Sequence, residues 1–177
     1  YDSVPSDLAA WLAIHALSSK AREGEVTVEV FHRAVGGFNG GTLATALLLA
    51  ERGRFKETTR PFLLNDDHSR ETNERDLAKV GPPRNLPHRG RVFPAPFFMG
   101  PVNSRVVRRS VELAQRFSQP YAQQVRYQEY WGAKSKAEAI AIVAIMGVFF
   151  KLVSSALGRS LIRTLGPKPG QGPSKAK

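Results

Sequence analysis

Apolar positions along this chain recur in a few regular patterns. Leu8, Trp11, Leu12, His15 and Ala16 are helically spaced behind Asp2, Ser3, Pro5 and Ser6. Asp and Ser favour helix starts, and proline fits a first turn because its missing N–H would lack a partner there anyway. The pattern predicts a helix that stops between Lys20 and Gly24. Val26, Val28 and Val30 then alternate with Thr27, Glu29 and Phe31, which predicts a strand over 25–35. A second alternation sets Val125, Tyr127, Glu129 and Trp131 against Arg126, Gln128 and Tyr130, predicting a strand over 123–131. Leu43, Ala46, Leu47 and Ala50 predict a helix over 42–52, ended by Gly53.

Between these elements the signal is weaker. A short apolar piece over 61–65 leads into a polar stretch rich in Pro and Gly, 66–91, which reads as a long mobile surface loop. Residues 92–99 are apolar and extended, and Pro94 and Pro96 place them at a sheet edge or in an irregular stretch. Residues 102–117 read as a helix with Asn103 or Ser104 as its cap. A single long helix is predicted over 136–165, uncharged across 139–150 and interrupted by Lys151. That uncharged run is shorter than the ~20 residues a bilayer span requires, whereas 139–165 as a whole is long enough. A buried core helix, a helix lying on lipid and a span all remain open. Arg159, Arg163 and the loose basic tail 166–177 favour an anionic membrane surface. The element order predicts an α/β (α+β) fold, a mixed β-sheet with packed helices.

Charge narrows the partners. The 177 residues hold 26 Lys and Arg against 15 Asp and Glu, a formal net charge of +11. This balance suits polyanions such as nucleic acid, anionic lipid or phosphorylated ligands. The basic residues form no dense block and no stacking motif accompanies them, so a specific nucleic-acid partner is not expected. The absence of cysteine excludes disulfides and thiolate metal sites, and leans toward an intracellular setting.

Candidate chemistry is sparse. His15, His32, His68 and His88 have no metal-ligand spacing, and no metal site is expected. Asp66-Asp67-His68 sits in the polar stretch and reads as solvated charge. No G-x-S-x-G elbow exists, which disfavours an α/β-hydrolase. The loop from Gly36 to Thr42 follows a strand and opens a helix, as a phosphate-binding turn does, yet lacks both G-x-G-x-x-G and the Walker lysine. A tight turn explains it equally. Arg105, Arg108 and Arg109 are helically spaced, suited either to an anionic substrate group or to surface ion pairs.

Six segments carry a resemblance: YDSVPSDLAAWL, GGFNGGTLATAL, RPFLLND, FPAPFFMGPVNSRVVRRS, VRYQEY and LGPKPGQGPS. In this order, across nearly the whole chain, they resemble the saccharopine dehydrogenase-like oxidoreductases. Asn39, where Ser is more usual, and Ala9, where Gly is common, depart from the family pattern. The resemblance implies the second domain of a Rossmann-type oxidoreductase, with a preceding domain for NAD or NADP that is missing here. The chain then reads as a fragment, inactive and without dinucleotide when alone. It divides into a seam helix (1–24), a substrate domain (25–135), the apolar helix (136–165) and a basic tail (166–177). The corner Asp2, Ser3, Val4, Pro5 and Ser6 is implied to face the cofactor, and Gly40, Gly41, Thr42, Asn103 and Arg105 the substrate. No catalytic residue is placed. The family includes lipid-linked members, among them trans-acting enoyl reductases and lipid-droplet proteins, so a lipid-linked substrate is one expectation. A non-enzymatic lipid-surface scaffold is the alternative. Candidate partners are the missing Rossmann domain, a lipid surface met through 139–165, and a second copy in a homodimer.

Overall fold

The computed structural model describes residues 3–33, 39–54, 60–66, 78–118, 121–122 and 124–170. The elements are α1 (Val4–His15), α2 (Ser19–Arg22), β1 (Glu25–His32), α3 (Gly40–Glu51), β2 (Arg84–Leu86), β3 (Gly90–Pro96), α4 (Gly100–Arg116), β4 (Gln124–Ala133), α5 (Lys136–Ser154) and α6 (Ala156–Leu165). The fold is mixed α/β. Its four-stranded sheet has the order β1-β4-β3-β2, parallel between β1 and β4 and antiparallel in the other two pairs. The doubly wound parallel sheet of a Rossmann domain is a different arrangement.

Strand parity decides which side chains go inside. In the parallel register Val28 lies beside Tyr127, Val30 beside Glu129 and His32 beside Trp131, so these six share one face. Helices cover that face. Ala10 and Ile14 of α1 and Val107 of α4 close over Val26, Val28 and Tyr127. Ala139 and Ile142 of α5 pack with Ala95, Ala133 and Trp131 further along. On the opposite face, Phe31 stacks on Tyr130 at 5.1 Å, and Glu29 takes hydrogen bonds from Arg84 and Tyr130.

Several expectations change. The stretch read as a loop over 66–91 contains β2 and the start of β3; three residues are too few to show an alternation. β3 is interior in the sheet order. Its prolines are tolerated because β2 pairs only with residues 90–92, leaving that side of Pro94 and Pro96 unpaired. Asn103 and Ser104 do not cap α4, which starts after Met99 with Pro101 in its first turn; both lie buried inside the helix. The first predicted helix ends earlier, at His15, and α2 follows as a separate turn.

The single helix predicted over 136–165 is two. Ser135 opens α5 by accepting the Glu138 N–H at 3.1 Å, while the Glu138 carboxylate accepts the Lys134 N–H at 2.7 Å. Ser155 is extended, and its hydroxyl accepts the Gly158 N–H at 2.9 Å, so it caps α6 and breaks the run. At this corner α6 meets the backbone of α5. A Cβ on Gly158 would lie 2.2 Å from the Leu152 carbonyl oxygen.

The corner therefore tolerates no side chain. Gly158→Ala is expected to cost about 1–3 kcal/mol in urea unfolding, because the clash is with backbone. Gly147 has no atom within 4 Å of its would-be Cβ. There Gly→Ala is expected to be neutral or to stabilise by up to about 1 kcal/mol. Equal effects at the two positions would contradict the close approach.

Candidate functional site

Halfway along the covered face the apolar packing is interrupted by a carboxylate. Glu129 is fully buried. Its Oε1 accepts the Tyr127 hydroxyl at 2.5 Å and its Oε2 accepts Asn103 Nδ2 at 2.8 Å. Asn103 Nδ2 also donates to Ser6 Oγ at 3.1 Å, and Asn103 Oδ1 accepts from Ser3 Oγ at 2.8 Å. His32 Nε2 lies 3.3 Å from Glu129 Oε1. Four elements meet here: the start of α1, the end of β1, the first turns of α4, and β4.

Each element delivers its residue for a local reason. Ser3 occupies the cap position of α1, yet its hydroxyl makes no cap bond and goes to Asn103 instead. Asn103 follows the Met99–Pro101 helix start and points back under α1. Tyr127 and Glu129 are two apart on one strand, hence on one face. His32 stacks on Phe97 at 4.0 Å, and Phe97 in turn faces Trp131 at 6.3 Å. The imidazole is the partly open member of the cluster, with 26% of its side chain exposed against none for Glu129.

Electrostatics keep Glu129 charged. Burial pushes its carboxyl up, but the polar neighbours His32, Tyr127, Ser6 and Asn103 together outweigh burial and hold it below the ordinary carboxylate value. Tyr127 is driven well above the usual phenol range by burial first, then by its bond to Glu129 and that negative charge. Tyr127 therefore stays a hydrogen-bond donor. A second acid lies nearby: burial raises Asp7 despite its bond from Ser110 Oγ at 2.9 Å. Tyr121 is pushed up to about 12 by burial and by Asp7.

The corner residues predicted to face a cofactor split. Ser3 and Ser6 are buried and bound into the Glu129 cluster; Val4 and Pro5 are exposed on α1; Asp2 lies outside the described residues. Of the predicted substrate residues, Asn103 joins the cluster. Arg105 is buried within α4, only 5% exposed. Gly40, Gly41 and Thr42 form the first turn of α3, where Asn39 Oδ1 caps the Thr42 N–H at 2.8 Å. Asn39 thus does what a serine would do there. A Cβ on Gly40 would lie 1.8 Å from the Lys168 carbonyl oxygen, so the chain after α6 covers this turn. Residues 36–38 of the glycine loop, Asp67 and His68 lie outside the described residues. Arg108 and Arg109 are structural: Arg108 donates to the Pro61 carbonyl at 3.0 Å and lies over the Phe62 ring, and Arg109 pairs with Asp66 and Glu112 at 2.7 Å.

Glu129, Tyr127 and His32 are absent from the residues predicted to form a site. A signal for them exists: strand alternation alone puts an acid and a histidine on the inward face. Among the described residues no group of His, Asp and Glu is placed to hold a metal ion.

Comparison with known proteins redirects the family reading. A Mycobacterium tuberculosis protein, provisionally named a trans-acting enoyl reductase, is 35% identical over 202 residues, covering 99% of this chain and 45% of its own length. A Mycobacterium ulcerans protein named a trans-acting enoyl reductase is 29% identical over 197 residues, with the same coverage. The chain thus spans about half the length of the curated relatives it matches. No family model and no solved structure matches. The reading as a saccharopine dehydrogenase-like fragment is corrected by these relatives, which are named as enoyl reductases, and so is the alternative of a non-enzymatic scaffold.

The depressed Glu129 value has a definite consequence. An acid whose folded value lies below its unfolded one stabilises fully above the unfolded value, and this is lost as pH falls through the folded value. Glu129→Gln is therefore expected to be less stable than the parent at neutral pH in urea unfolding. The gap should narrow as pH falls below the ordinary glutamate value, about 4.3 in an unfolded chain, toward the lower value at which the folded carboxylate takes up its proton. A gap that stays constant with pH would mean that Glu129 is not buried as the anion.

Proposed function

We propose that this chain works in an enoyl reduction of the trans-acting kind for which its relatives are named. The observation that carries the reading is 35% identity extending over 99% of the chain. The reaction adds a hydride to the β-carbon of an enoyl group conjugated to a carbonyl, and a proton to the α-carbon. The hydride source for such a reduction is a nicotinamide, NADH or NADPH.

The first turn of α3, the best candidate for a dinucleotide's phosphates, is capped by Asn39 and faced by the Lys168 carbonyl oxygen, which repels an anion. We assign to this chain's own residues the protic half of the reaction. His32 is the residue to supply that proton. Its Nε2 lies 3.3 Å from the Glu129 carboxylate and 26% of its side chain is exposed, so we assign the remaining ring nitrogen, Nδ1, to the substrate. The Phe97 ring fixes the plane of the imidazole. As the enolate collapses, an imidazolium N–H bond breaks, a C–H bond forms at the α-carbon, and the neutral imidazole regains its proton from water. Glu129 is a positioning residue: its carboxylate lies 3.3 Å from Nε2 and orients the ring, and Tyr127 and Asn103 hold the carboxylate in place.

The test is a chimera in which this chain replaces the matching segment of the Mycobacterium tuberculosis relative, assayed beside that parent by NADPH oxidation with a trans-2-enoyl thioester. The chimera is expected to turn over when the parent does. His32→Ala should lower kcat about 100-fold. Glu129→Gln should lower it less and move the pH profile. A folded chimera that is inactive beside an active parent would refute the assignment; full activity in His32→Ala would remove the proton role.

A further inference from the structure

α5 has two apolar faces where folding needs only one. Its inward stripe is Ala139, Ile142, Phe149 and Val153, packed on the sheet at one end and on Leu43 and Leu47 of α3 at the other. Those residues explain why the helix is bound to the fold. They do not explain the outer face, where Ile140, Ile145 and Val148 are 53%, 69% and 59% exposed. A helix turned to water carries polar residues there, yet α5 bears no charge from residue 139 to residue 150.

α6 repeats the anomaly with its polarity reversed. Its arginines are turned to the protein: Arg163 pairs with Glu51 at 2.6 Å, and Arg159 donates to the Val153 and Ser154 carbonyls at 3.1 Å. Leu157, Leu161 and Leu165, one stripe at four-residue spacing, are 84%, 49% and 77% exposed. The adjoining helices therefore both present aliphatic side chains outward.

We infer that the outer face of α5 and α6 docks on an anionic lipid surface. Charge selects this occupant. From Lys134 to the end of the chain there are eight Lys and Arg and one acid, Glu138. The exposed Lys134, Lys136 and Lys151 border the apolar face. An aliphatic face bordered by lysines matches the acyl boundary and phosphates of an anionic membrane. A second copy would meet the same positive charge, and a specific protein partner would find few polar groups to set its register. α5 is long and apolar enough to cross a bilayer. Its attachment to the fold from Ala139 to Val153 instead lays it flat, at the depth of an interfacial helix.

The experiment is flotation of the full chain with vesicles of phosphatidylcholine alone or with one-third phosphatidylglycerol, at low and high salt. Binding is expected on the anionic vesicles and should weaken with salt. Ile145→Asp or Val148→Asp should reduce it about tenfold or more, with far-UV circular dichroism unchanged because both positions are exposed. Ile145→Leu should bind as the parent does. The inference is overturned if the folded parent stays with the solution on every vesicle, or if the aspartate variants bind equally well. It is also overturned if light scattering finds a stable oligomer that Ile145→Asp dissociates and vesicles do not bind. This outcome is independent of enoyl reduction, since flotation reads no turnover.

Discussion

The Glu129 carboxylate is the constraint around which this sheet is assembled. An ionised acid can be carried into an apolar layer only if hydrogen bonds replace its lost water; otherwise it takes up a proton or the fold does not close. Here the replacements come from Tyr127 on the same strand, Asn103 on α4 and Ser6 on α1, with His32 at the end of β1. The layer closes only when α1, α4, β1 and β4 are in register, so the polar cluster also specifies the packing of the helices that cover it.

This dependence explains why some local rules give way. Ser3 forgoes the cap of its own helix, and Asn103 is buried inside a helix although asparagine favours helix ends. Both polar side chains are used by the Glu129 cluster instead. The apolar residues on either side obey the ordinary rules: Val26, Val28 and Val107 pack at one end, Ala95, Ala133 and Ala139 at the other. Satisfied polarity between two dry clusters is a costly arrangement, and it fits a site that must hold a charge in a fixed place.

Much of the frame was legible before any coordinates. Alternation located β1 and β4, helical spacing located α1, α3 and α4, and the capping preference of Asn and Ser agrees with Asn39 and Ser135. The rest depends on interactions that a linear pattern does not encode. β2 is too short for a period and exists because β3 lies beside it. The break at Ser155 is hidden in an apolar run, and it needs a close contact between Gly158 and Leu152 that is visible only in three dimensions. The site was half legible. The corner at Ser3 and Ser6 and the asparagine at 103 converge, but Arg105 is enclosed in its helix and the Gly40 turn is covered by the chain near Lys168. Glu129 was visible as a break in an apolar stripe, and strand parity alone was enough to turn it inward.

The two departures from water-soluble design are complementary. A charge lies inside, at Glu129, and aliphatic residues lie outside, along α5 and α6. Each would destabilise the chain if folding were the only requirement, and each follows from the parity of its own element. β4 joins them. Its residue 129 anchors the buried cluster, and Trp131 and Ala133, on the same face, hold the base of α5. An imidazole at the end of the parallel pair is therefore fixed through one strand to the helix that faces outward. The sheet needs no hinge between them to bring the two into a constant relation.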